Sequence, residues 1–150
     1  MELERIKGIF SVCRVEDFSK VNFDSDFVFV SKTDKECSVV CWTSDVPTNT
    51  ISRNDGWAGI RICGTLDFSL VGVISKISTI LSEAKVPVFV VSTFDTDYIF
   101  VKKEDEMKAL GRLSEHGYKI STGDAYGDYF MNRSASDIMN EYHETHDEWS

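Results

Sequence analysis

The sequence predicts an α+β fold on the ferredoxin-like plan, with antiparallel sheets that carry their helices on one face. Three observations predict it. An apolar stripe at helical spacing (Leu70, Val71, Val73, Ile74, Ile77, Ile80, Leu81, Ala84) runs through "LVGVISKISTILSEA". A continuous apolar run of strand length, "VPVFVVST" (86–93), follows it and reads as a central strand, and a polar "FDTD" turns the chain back into "YIFVKK". A second helical pattern, "EDEMKALGRLSEHG", then leads to a short "YKI". With "GWAGIRICG" in front, residues 57–120 spell β-α-β-β-α-β.

Each element has its local reason. "KGIFSVCRV" (7–15) alternates as a strand does. "DFVFVSKT" (26–33) and "ECSVVCWTS" (36–44) are two more strands, joined by the turn residues of "TDKE". "DVPTNTISRNDG" (45–56) concentrates Pro, Asn, Asp and Gly and reads as the internal boundary of the chain. Asp67 or Ser69 is placed to cap the first helix by accepting from its unpaired N–H groups. Pro87 belongs at the start of its strand, because proline cannot donate to a ladder. Met107, Leu110 and Leu113 share one face of the second helix, and Gly117 stops it. The expected organisation is an N-terminal unit over 1–56, reduced or interleaved and open to completion by the tail. A C-terminal unit over 57–120 and an acidic, partly helical tail over 121–150 complete it.

Composition narrows the function. The chain has 150 residues and a hydrophobic fraction of 42%, enough for a globular core. Its net charge of −9 repels phosphate backbones and argues against nucleic acid. A ferredoxin-like RNA-binding sheet would also want aromatics where "VFVVST" offers one. The charged opening "MELERIKGIFSVCRV" lacks a signal core, and no apolar run reaches membrane-spanning length, so a cytoplasmic protein without membrane contact is expected. Cys13, Cys37, Cys41 and Cys63 follow no framework or zinc spacing and read as reduced cysteines.

At "LDFSLVGVIS", "STFDTDY" and the preceding "ECSVVC", "VP" and "GW", the chain resembles the tandem ACT-domain proteins of the aspartate-kinase-like type. That group includes small stand-alone bacterial proteins and the vertebrate CASTOR arginine sensor. The resemblance covers residues 8 to 120 and leaves the tail outside. It implies two ACT-like βαββαβ units and a regulatory role. It also implies an amino acid or similar small metabolite bound where two ACT units meet, in a homodimer or larger assembly that acts on a regulated protein. The implied ligand segment is the loop from Gly64 to Gly72, which includes Asp67, Phe68, Ser69, Leu70 and Val71. The "ST…D" segment points to Thr93 and Asp97, and the facing strand to Ser38 and Val39. The arginine sensor has an acidic residue where this chain has Leu70, so the resemblance implies an amino acid more firmly than arginine.

The chemistry of such a site is simple. A ligand carboxylate seeks backbone N–H groups at a helix N-terminus, here residues 68–72. Its ammonium seeks a carboxylate, for which Asp97 or Asp95 serves. Thr93 orients either end, and Phe68, Val71 and Ile99 supply apolar walls. The plainer reading makes Asp67 and Ser69 ordinary caps, and Asp95 and Asp97 ordinary turn residues.

Enzyme motifs for nucleophilic, phosphate-loop or zinc-protease chemistry are missing, and no cofactor is implied. His143 and His146 in "HETH" read as part of a solvated acidic tail rather than a metal site. The rival to the ligand-binding reading is a ligand-free protein-interaction or oligomerisation module, with the acidic tail as its docking element.

Overall fold

A computed structural model describes residues 1–63 and 72–121. The chain divides into two compact units, Gly8–Ala58 and Met1–Lys7 with Gly59 onward. Strand β5 (Thr50–Ile62) gives its first part to one unit and its last part to the other.

The Gly8–Ala58 unit contains β2 (Phe10–Val15), β3 (Val28–Lys32), β4 (Cys37–Trp42) and the start of β5, ordered β3-β4-β2-β5. If β2, β3, β4 and β5 are the first to fourth strands of a ferredoxin-like unit, this is its order, 2-3-1-4. All three pairings are antiparallel. The helices of that plan are replaced by the irregular connection 16–27 and by a 3-10 turn at Thr43–Asp45. Cys13, Val15, Val39 and Cys41 form the core of one face, covered by Phe18, Val21 and Val46 from those connections. Phe10, Phe27 and Trp42 pack edge-on and tilted in a second group.

The segment 45–56, read as the internal boundary, is strand over more than half its length. Only residues up to Asn49 are irregular, and "TISRNDG" lies within β5. Asn, Asp and Gly are poor strand residues in general, but cross-strand pairing outweighs the propensity here. Val12 stands opposite Asn54, with register shifts on either side of the matched run. Gly56, at φ 86°, supplies the left-handed residue that such an irregularity uses.

The other unit holds the rest of β5, α1 (Val73–Glu83), β6 (Val88–Ser92), β7 (Asp97–Lys102), α2 (Glu106–Glu115) and β8 (Lys119–Ser121). This is the full βαββαβ order, and the fold is α+β and ferredoxin-like. One feature departs from the plan. The N-terminal strand β1 (Glu2–Arg5) lies between β5 and β8, antiparallel to the first and parallel to the second. The sheet therefore runs β6-β7-β5-β1-β8.

The core sits under the helices. Leu3, Ile60, Ile62, Ile99, Val101 and Ile120 from the strands meet Ile77, Leu81, Leu110 and Leu113, all essentially without exposure. Alternation along each strand sends one set of side chains to the helices and the other away. On β7 the second set is Tyr98 and Phe100, with Phe100 stacked on Phe89 at 4.7 Å and Arg61 above the Tyr98 ring at 5.6 Å.

Candidate functional site

The described part of the site begins where α1 begins. Gly72 holds the N-cap position at φ 84° and ψ 8°, in the left-handed region, with no side-chain cap bond. Its carbonyl accepts the first helical bond, from the Lys76 amide at 2.9 Å. The described helix thus opens after Gly72. Asp67, Phe68, Ser69, Leu70 and Val71 lie outside the described residues.

The β6–β7 turn is the second part, and its polar residues are bonded to one another. The Thr93 amide and hydroxyl both donate to the Thr96 carbonyl, at 2.8 and 3.0 Å, and the Thr96 amide donates back to Thr93 Oγ1 at 3.4 Å. Ser92 Oγ donates to Asp97 Oδ1 from directly across the strand pair. The buried Thr96 hydroxyl donates to the Ile62 carbonyl at 2.7 Å. That last bond ties the turn to the end of β5, just before the segment that leads to α1. Sequence reasoning passed over Thr96, because a turn threonine carries no signal of burial.

Among the named candidates, Thr93 and Asp95 are exposed, and Asp97 is half-buried as the first residue of β7. Ile99, expected as a pocket wall, is a core residue with 1% exposure. Ser38 and Val39 are in the Gly8–Ala58 unit, on β4. As strand neighbours they point to opposite faces. Val39 is fully buried in the cysteine–valine core. Ser38 is half-buried, donates to Glu36 Oε1 at 2.9 Å, and stands opposite Arg14 and Ser31. Among the described residues no cluster of His, Cys, Asp or Glu could hold a metal ion, and no helix is long and apolar enough to cross a membrane.

The titratable groups with displaced equilibria lie elsewhere. Burial pushes the Cys41 thiol up to about 12, assisted by the nearby Cys13 and Asp45, and also raises Cys13 and Cys63. Burial alone would raise Glu106 as well. The hydrogen bonds and charges of Arg5 and Lys103 outweigh it and hold that carboxyl below its usual value.

Residues 52–115 match the family model of the ACT domain. They span most of β5, both helices and the two strands between them. The match covers residues 52–115 of the 150, and the fold is shared with solved aspartate kinase structures. A crystal structure of a protein from Agobacterium tumefaciens is similar over 81% of this chain and 92% of its own, at 27% identity and a TM-score of 0.69. A Vibrio cholerae protein of unknown function, described as a possible transport protein, is similar over 76% and 88%, at 20% identity and a TM-score of 0.61. The aspartate kinase of Clostridium acetobutylicum, an allosteric enzyme, is similar in fold over 75% of this chain and 33% of its own, at 16% identity and a TM-score of 0.55. No curated protein matches the sequence.

Proposed function

We propose that this protein is a non-catalytic, cytoplasmic regulatory module that binds an amino acid or similar small metabolite at an interface between ACT units. It works as a homodimer or larger assembly on a regulated protein. One observation carries the reading. The Thr96–Ile62 bond holds the Thr93–Asp97 turn beside the end of β5, from which the chain passes to the N-terminus of α1. In this reading the turn and the helix N-terminus supply complementary groups. A helix N-terminus offers N–H groups and a favourable dipole to a ligand carboxylate. The Asp97 carboxylate accepts one hydroxyl bond and keeps acceptor capacity for an ammonium group.

In this reading Gly72 admits close backbone approach, and Asp67, Phe68, Ser69, Leu70 and Val71 complete the wall. Thr93 and Asp95 contribute from the turn, and Ser38 from the corresponding strand of another ACT unit. Ligand binding shifts the packing of units and so the partner's state. Calorimetric titration tests the assignment. Asp97→Ala should weaken binding of the active amino acid by about 1.5–3 kcal/mol, the usual worth of a charged hydrogen bond. Wild-type affinity in that variant would remove the turn from the site. A ligand-free oligomerisation module is the second reading, favoured by the exposure of Phe94, at 87%.

A further inference from the structure

The β6–β7 turn displays an aromatic ring to solvent. Phe94 is 87% exposed, more than any other large apolar side chain described. On a loose turn the ring would fold against the surface, because burying a phenyl group is favourable. The bonds between Thr93 and Thr96, and from Thr96 to Ile62, hold the backbone of this turn, and the ring on it faces solvent. Rigid, solvent-facing aromatics are the anchors of protein interfaces, since their ordering precedes binding. Asp95, also exposed, follows it directly.

The same unit carries a groove of about 630 Å³ along α1 and the chain after α2, with no residue of the turn in its lining. Val73, Ile80 and Tyr118 give it apolar surface, and Lys76 and Glu83 are its charged groups on α1. Lys76 is three residues after Val73 and four before Ile80, so the three share a helix face. The apolar residue followed by an acid on the turn has counterparts in Val73, Ile80 and Lys76 at the N-terminal part of the groove, with Glu83 two turns further along α1.

We infer that Phe94 of one copy seats in the α1 groove of a second copy, with Asp95 paired to Lys76. Exchange of the contact about a two-fold axis closes a dimer. This goes beyond the proposed ligand function and does not depend on it, because the contact needs no amino acid.

Sedimentation velocity on the full chain, across a concentration series and without added amino acids, tests it. Wild type should dimerise with concentration. Phe94→Ala should raise the dimer Kd at least tenfold. Its far-ultraviolet spectrum should stay unchanged, since the ring packs on little in the monomer. Asp95→Lys and Lys76→Asp should each weaken association, and the double exchange should recover most of it. Wild type that stays monomeric overturns the inference, whether the groove is then filled by residues 122–150 or by a small ligand. Self-association unaffected by Phe94→Ala overturns it too, and failure of the double exchange to recover removes the pairing.

Discussion

Arg5 on β1 grips Glu106 at the start of α2 with both ends of its guanidinium, Nε to Oε2 at 3.0 Å and Nη2 to Oε1 at 2.8 Å. Lys103 Nζ adds a third bond at 2.8 Å. Glu106 is 3% exposed, so its charge survives burial only because these partners surround it. Arg5→Ala should cost about 3 kcal/mol, near the low end for breaking a buried pair because Lys103 remains. Urea denaturation gives the value.

The same carboxyl makes a pH prediction. Its folded-state pKa is held below the usual 4.5, so the unfolded chain binds the proton more tightly. The stabilisation is therefore complete above about 4.5 and is lost as pH falls through the lower folded value. Glu106→Gln, which cannot ionise, should lose stability near neutrality and show a flatter acid limb. Urea midpoints between pH 3 and 7 for both proteins check the sign.

Removing residues 1–7 should damage the half of the chain farthest from them in sequence. β1 is the strand through which β8 joins the sheet, and it brings the buried Leu3 and Ile6 along with Arg5. The truncated chain should lose its cooperative urea transition for the helical unit. A transition like that of the full chain would mean that β1 is dispensable.

Two left-handed residues should respond in opposite directions. Gly8 sits at φ 97°, and a Cβ there would lie 2.8 Å from Trp42 Nε1. Gly8→Ala combines backbone strain with that clash and should cost more than about 2 kcal/mol. Lys85, at φ 61° just past the end of α1, occupies the position where helices favour glycine. Lys85→Gly should stabilise by up to about 1 kcal/mol. Thermal melts of the two variants decide both.

Cys41 is buried between β2 and β3, and its thiol is pushed up to about 12. Little thiolate is present at pH 8, and a reagent cannot reach it. In pulsed alkylation read by mass spectrometry, Cys41 should label only as fast as the protein unfolds. Fast labelling in native buffer would contradict the packing of that core.

The helical unit was legible in the sequence because period and punctuation agree there. The stripe of α1 from Val73 onward and the glycine stop of α2 emerge as read, whereas the run read as a central strand forms β6 at the sheet edge, paired with β7. Gly117 takes φ 92°, and His116 Nδ1 bonds the Arg112 carbonyl at 2.8 Å, as a helix-end histidine should. The insertion of β1 was illegible. Its partners lie about 60 and 115 residues away, and alternation within four residues does not specify a neighbour. The length of β5 was hidden for a related reason, since "SRNDG" is punctuated like a loop and becomes strand only through pairing with β2. At the site, the sequence showed the polar residues of the turn, but their mutual bonds depend on Thr96 reaching Ile62. Residues 64–71, which carry most of the expected ligand contacts, lie outside the described residues, as does the acidic tail.

The central claim is that this protein binds an amino acid. A thermal-shift screen of the full chain against the twenty amino acids tests it most directly. A ligand at a hundred times its dissociation constant stabilises a fold by about 2.7 kcal/mol, a shift of several degrees for a chain of this size. The account predicts a rise with one amino acid or a closely related set, lost in Asp97→Ala. An unchanged melting temperature with all twenty would contradict it.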